Sequence, residues 1–240
     1  MKIDTPNSAR RPKVSLSPHR RSMIAAAWSA AALLGTGLMS GCQAVGFMAE
    51  AYRRDSTHEV KAQYTGLEGK SFAVVVTADR MIEADHPGIV DRMCAKMTER
   101  LANPANLPRA GGFVPAKQVL RYLYDNPGWP ARPLSELGKG LGGVERLVYI
   151  ELTEYRLHEP GNPYEWAGVA SASISVLELD GSMPDEFAFE KFQTVKFPDE
   201  KGVGPNQVGA DGMTSALSLR LIDRTTWLFY NHQEPYYPTY

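Results

Sequence analysis

Cysteine is the first scarcity. Two occur in 240 residues, Cys42 and Cys94, so the disulfide framework that staples small secreted domains is excluded. A chain of this length buries a sizeable core without one. Metal-ligand spacing is missing too. The five histidines, His19, His58, His86, His158 and His232, stand apart, and no H-E-x-x-H is present. There is no G-x-S-x-G nucleophile elbow. Basic excess is also absent. The net charge of −1 hides an asymmetry: residues 1–41 hold six Lys/Arg and one acid, leaving 20 basic against 26 acidic residues from 42 onward, a net charge of −6. A body of that sign carries no electrostatic footprint for nucleic acid. After Cys42 no apolar run approaches the roughly 20 residues a membrane-spanning helix needs. No internal repeat is visible.

What is present begins with the leader. Residues 1–22 are polar and basic; residues 23–39, MIAAAWSAAALLGTGLM, are apolar and rich in Ala and Gly. A basic region, an apolar run and then small residues follow the order of a secretory signal. A buried core helix would leave the basic flank and the small residues unexplained. Met39-Ser40-Gly41-Cys42 resembles the bacterial lipobox. That resemblance implies diacylglycerol transfer to the Cys42 thiol, cleavage after Gly41 and acylation of the new amino group. A thiol suits the transfer because its thiolate is a strong nucleophile. Met39 stands where Leu is usual. Arg20-Arg21-Ser22-Met23-Ile24 resembles the twin-arginine export motif, although an ordinary basic region also accounts for Arg20 and Arg21. In bacterial lipoproteins an Asp after the cysteine implies inner-membrane retention. Gln43 stands there, which implies the outer membrane and a domain facing the periplasm. Each buried acyl CH₂ contributes about 0.8 kcal/mol, so two or three chains anchor stably.

The expected organisation is a signal peptide over 1–41, a lipid-anchored tether over 42–70, a single domain over 71–232 and an aromatic tail over 233–240. SFAVVV at 71–76 reads as a buried strand. In DHPGIVDRMCAKMTERLANP, Ile89, Met93, Met97 and Leu101 fall four apart with Val90 and Cys94 beside them, predicting an amphipathic helix. Asp85 or His86 can cap it, Pro87 fits its first turn, and Asn103-Pro104 stops it. Gly112-Phe113-Val114 suggests a short strand. PAKQVLRYLYDN predicts a helix with Val119, Leu120, Leu123 and Tyr124 on one side. A short helix, SELGKGL, ends at Gly142-Gly143. ERLVYIELTEYRL and WAGVASASISVLEL read as an antiparallel hairpin across HEPGNPY, and EFAFEKFQTVKF alternates as a third strand. MTSALSLRLIDRTTWLFYNH is the last helix, with Leu217, Leu221 and Leu228 on one stripe. The expected fold is α/β (α+β), a single mixed sheet with helices packed on one face.

YTGLEGKSFAVVV, an amphipathic helix, LGKGLGGVERLVYIEL, a hairpin and a helix ending in LFYNH together resemble a group of uncharacterised bacterial lipoproteins. Their domain is similar to that of the curli secretion lipoprotein family and the amino-terminal domain of the TolB periplasmic protein. The shared features are a strand after Gly69-Lys70 and a helix ending before Gly142-Gly143-Val144. The resemblance spans most of residues 64–232 and implies fold and compartment rather than chemistry.

The remaining motifs point away from catalysis. Glu68-Gly69-Lys70-Ser71 contains the end of a phosphate loop, but Tyr64 occupies the place of its first Gly and the segment precedes a strand. Gly138, Gly140 and Gly143 match G-x-G-x-x-G in the order helix, glycines, strand, the reverse of a dinucleotide site. Asp79, Glu83, Asp85 and His86 cluster after the first strand, where capping and solvated charge explain them better than a cation. Cys94 shares the apolar face of its helix and reads as a buried, inert thiol. Trp129, Trp166 and Trp227 read as core or rim packing. No catalytic residue, metal or cofactor is expected. The expectation is a non-enzymatic envelope lipoprotein, bound to the membrane through acylated Cys42 and to an unidentified envelope protein, and not to nucleic acid. Tyr236, Tyr237 and Tyr240 are the candidate partner contacts. The alternative is a subunit of a curli-type outer-membrane secretion channel. Its added membrane hairpins would have to come from WAGVASASISVLEL and EFAFEKFQTVKF, which suit an ordinary sheet better.

Overall fold

A strand with an apolar residue at nearly every position must be covered on both faces. β2 (Ser71–Ala78) is such a strand, with Phe72 to Val76 all buried. In the computed structural model, which describes residues 57–235, it joins β3 (Gly112–Phe113), β4 (Arg146–Arg156), β5 (Gly168–Glu178) and β6 (Phe187–Phe197). These five form one sheet in the order β3-β2-β4-β5-β6. β2 is parallel to both β3 and β4, and β4, β5 and β6 run antiparallel. The sheet is therefore mixed. Two units divide the chain, residues 1–56 and 57–240, and the described residues all belong to the second.

The strand register sorts side chains into two faces. Val74, Val148 and Val176 share one face with Val76, Ile150 and Ile174, and all six are buried. Helix α2 (Ile89–Ala102) and helix α5 (Ala210–Thr226) cover it. Ile89, Met93, Met97 and Leu101 face inward from α2, as do Leu217 and Leu221 from α5. Each such side chain contributes about 1.5–3 kcal/mol when taken fully out of water. Tyr155, on this face of β4, donates to the Thr214 carbonyl of α5 at 2.9 Å. Gly168 lets α5 approach: a Cβ there would stand 2.5 Å from Met213 and 2.8 Å from the Phe197 carbonyl. Arg100 of α2 pairs with Asp223 of α5 and ties the helices together.

The opposite face is covered only in part. Trp129 meets Tyr149 with ring centroids 6.5 Å apart. Helix α4 (Leu134–Gly140) presses Gly138 against Leu179. Farther across, Glu151, Thr153, Phe192 and Thr194 are exposed beside Ser171, Ser173 and Ser175.

Several expectations shift. β1 (Thr57–Val60) and β7 (His232–Pro235) form a separate antiparallel ribbon, so a strand occupies part of the stretch read as tether and another the start of the tail. Leu67 is also fully buried. Helix α1 (Arg80–Asp85) precedes α2, capped by Asp79 accepting from the Met81 N–H at 2.6 Å. The cap of α2 is Gly88 at φ 72° rather than Asp85 or His86, and Pro87 lies outside the helix. The last helix ends at Thr226, not at 232. Thr226 Oγ1 turns back to the Ile222 carbonyl at 2.8 Å, and the Leu228 carbonyl accepts from Gln63 and Tyr64. Leu228, Phe229 and Tyr230 are consequently buried in a turn, not on a helical stripe.

Candidate functional site

In open sheets of this type, crevices form beyond the carboxyl ends of parallel strands. Here β2 ends at Ala78, opposite Leu152, and β4 runs on beside it to Arg156. Helix α3 (Ala116–Asp125) flanks them, and the connection after it carries Trp129. Between them lies a cleft of about 660 Å³. Thr77 and Ala78 of β2, Tyr149 and Glu151 of β4, Asp91 of α2, Tyr124 of α3, Trp129, Pro130 and Glu83 line it. The Thr77 hydroxyl donates to the Tyr149 hydroxyl at 3.3 Å, which restrains that ring at the cleft. Tyr124 is 86% exposed, which corrects its place on the apolar side of the helix. Ala116, Val119, Leu120, Tyr122 and Leu123 do the packing instead.

Three aromatic rings and three carboxylates therefore surround one open cavity, with Arg121 at the rim engaged by Asp125 at 3.5 Å. Ring faces and carboxylates both attract cations. The arrangement suits a cationic group. Tyr149 and Glu151 were visible in the sequence only as alternate positions of a strand. The signal was that ERLVYIELTEYRL turns polar on one face at Glu151 and Thr153, which marks where cover stops.

At the other end of the strands, Gly69-Lys70-Ser71 is occupied by its own polar cluster. Lys70 Nζ contacts Glu145 at 2.9 Å and Asp180 at 2.6 Å, and the Ser71 N–H donates to Glu145 at 2.9 Å. Arg146, nearly buried, pairs with Asp180 and donates to the Gly66 carbonyl at 3.0 Å. Hydrogen bonds from Lys70 and then Arg146 hold the Asp180 carboxyl down to about 2. Lys70 does the same in direction for Glu145. Tyr64 donates to Glu178 at 2.9 Å, and its hydroxyl pKa is raised, first by burial and then by that carboxylate. The lysine of this segment thus closes the sheet's lower edge.

Cys94 is fully buried, its thiol 3.4 Å from the Val74 carbonyl, and burial pushes its pKa up to about 11. Trp166 is buried, its indole N–H donating to the Val208 carbonyl at 2.7 Å under the stacked His158 ring. Trp227 is half-buried against His232, with centroids 4.5 Å apart. The structure brings Glu83 to the cleft, whereas Asp79 is spent on its cap and Asp85 does not line the cavity. Among the described residues no three His, Cys, Asp or Glu side chains converge as a metal site, and no helix is long and apolar enough to cross a membrane. Arg20, Arg21, Cys42, Tyr236, Tyr237 and Tyr240 lie outside the described residues.

No protein-family model matches the chain, and no curated protein matches it. Solved structures similar to it include lipoprotein GNA1162 from Neisseria meningitidis. That match has 15% identity and a TM-score of 0.41, covering 64% of this chain and 96% of that one. The PelC dodecamer from Paraburkholderia phytofirmans is similar at 10% identity and a TM-score of 0.40, covering 72% and 97%. The LpoB C-terminal domain from Salmonella enterica is similar at 13% identity and a TM-score of 0.30, covering 61% and 90%. Likeness at this level assigns no role.

Proposed function

We propose that this chain is a lipid-anchored lipoprotein of the bacterial envelope that acts without catalysis, as a protein-docking module in envelope assembly or transport. Cys42 is the acylated residue, Arg20-Arg21 belong to the export signal, and Gln43 favours the outer membrane with the domain facing the periplasm. The observation that carries the docking role is the open cleft where β2 ends against the middle of β4, where Tyr124, Trp129 and Tyr149 stand among Glu83, Asp91 and Glu151. A basic side chain of a partner protein meets ring faces and carboxylates there together. Tyr236, Tyr237 and Tyr240 are the second contact. They follow Pro235, which is paired with Thr57, so the tail leaves from a fixed point, and Pro235 and Pro238 reduce the entropy lost when it orders on a partner.

Photo-crosslinking in intact cells tests this reading. A crosslinker at Tyr124 should give a discrete adduct that disappears when Asp91 and Glu151 are changed to Lys. The same crosslinker at Lys117, exposed on the same helix but outside the cleft, should give none. Equal adducts from both positions, or an adduct indifferent to charge reversal, would contradict the docking role of the cleft.

A further inference from the structure

Strand β6 is the outer edge of the sheet. It has 11 residues, pairs with β5 on one side, and no described residue adds a strand on the other. A long edge strand presents a row of backbone donors and acceptors that another chain can join, and proteins ordinarily blunt such edges. Here the blunting is confined to the two ends. At the start, the register with β5 slips opposite Phe187 and Phe189. At the finish, Arg220 donates to the Lys196 carbonyl at 2.6 Å and lies over the Phe197 ring. Between these, no described strand joins the outer backbone edge of Phe189 to Val195; Phe189 packs on Tyr64 and Val195 is buried on the helix-covered face, while Phe192 at the midpoint is 59% exposed on the other.

We propose that this strand pairs antiparallel with the same strand of a second copy, about a two-fold axis at Phe192, to make one continuous sheet. The reason lies in the self-complementarity of FAFEKFQTVKF. Opposed residues of an antiparallel pair share a face, so in an unbroken sheet the axis must fall on a residue rather than between two. With the axis at Phe192, that segment pairs with itself from end to end. Phe192 meets its counterpart on the uncovered face and removes two exposed rings from water. Glu190 stands opposite Thr194 and diagonal to Lys196 of the other copy, an attractive arrangement made twice by the symmetry. Phe189 stands opposite Val195, and Lys191 opposite Gln193. This register leaves the two Lys191 side chains diagonal to each other, whereas an axis at Lys191 would set them directly opposite. An axis at Gln193 would draw in the Lys196 carbonyl that Arg220 already holds. Leu219, 49% exposed on α5, adds apolar surface near this edge, in a groove it lines with Phe197.

The test is the mass of the full chain in detergent, by sedimentation velocity corrected for bound detergent, across a concentration series. The wild type should form a dimer. Phe192→Lys should weaken it by about a hundredfold, because two like charges replace two rings at the axis. Phe192→Glu should do the same. Mixing the two variants should restore a dimer containing one of each, and circular dichroism should show each variant folded. Three results would overturn the proposal: a wild type that stays monomeric to about 100 µM, an oligomer unchanged by Phe192→Lys, or folded variants that do not pair on mixing. The docking cleft is not part of this edge, so the outcome leaves the cleft reading to its own experiment.

Discussion

Cys94 shows how far a single position can be argued. Its thiol is fully buried on α2, aimed at the Val74 carbonyl, and its pKa is pushed up to about 11 by desolvation. A thiol with little thiolate at neutral pH and no solvent contact reacts slowly. We therefore expect Cys94 to resist thiol reagents in the folded protein at pH 8 and to react at once in denaturant. Cys94→Ala should cost about 1 kcal/mol through a small cavity, read from the urea midpoint. Asp180 makes a prediction about pH. Lys70 and Arg146 lower its carboxyl from 3.8 to about 2. A carboxyl lowered by folding stabilises the fold above its unfolded value, and that contribution is lost as pH falls toward the folded one. Stability should therefore decline between about pH 4 and pH 2, with Glu145 adding in the same direction. Asp180→Asn should flatten that decline, and added salt should weaken it, since both carboxylates are open to solvent. Thr225 predicts a gain. Its hydroxyl is buried without a partner among the described residues. Thr225→Val should leave stability unchanged or raise it by up to about 1 kcal/mol, and a loss of that size would reveal a partner.

At the scale of elements, the β1–β7 ribbon decides where the tail begins. Gln233, Glu234 and Pro235 belong to a strand, and Glu234 accepts from Arg224 at 3.0 Å and contacts His232 at 2.9 Å. Ending the chain at Pro235 should leave the thermal midpoint nearly unchanged. Ending it at Asn231 also removes the partner of β1 and should cost on the order of 2 kcal/mol. Comparing the two melts separates a docking tail from a structural one. The same ribbon shows what the sequence could and could not disclose. Periodicity located α2, because Ile89, Met93, Met97 and Leu101 form one stripe, and continuous burial located β2. THEV and HQEP have no such pattern: four polar-rich residues become strands only because segments at least 172 positions apart in number are brought together. The leucine spacing predicts a helix over 213–232, and the observed helix stops at Thr226 for a similar reason. Leu228 keeps the spacing of Leu217 and Leu221, yet the Leu228 carbonyl is claimed by Gln63 and Tyr64 from the far end of the chain. The cleft was equally hidden. Asp91, Tyr124, Trp129 and Glu151 come from four segments, and only the order of strands β2 and β4 places them around one cavity.

At the scale of the molecule, the account joins an anchor to a docking surface. On the proposed reading, the basic flank, apolar run and small residues of 1–41 are an export leader, and the body that follows carries −6, a sign that disfavours an anionic lipid surface. The sheet turns one face to α2 and α5, leaves part of the other uncovered, and opens a cleft of aromatic rings and carboxylates where β2 ends beside β4. All of this serves a protein held at a membrane only if Cys42 carries lipid. The direct measurement is the mass of the amino-terminal peptide of the protein purified from envelopes, with detergent partitioning of the intact chain beside it. The account predicts a peptide beginning at Cys42 that carries diacylglycerol, with the protein in the detergent phase. Cys42→Ala should give an uncleaved or aqueous form. A wild-type peptide with an unmodified Cys42, from protein that partitions into water, would contradict it.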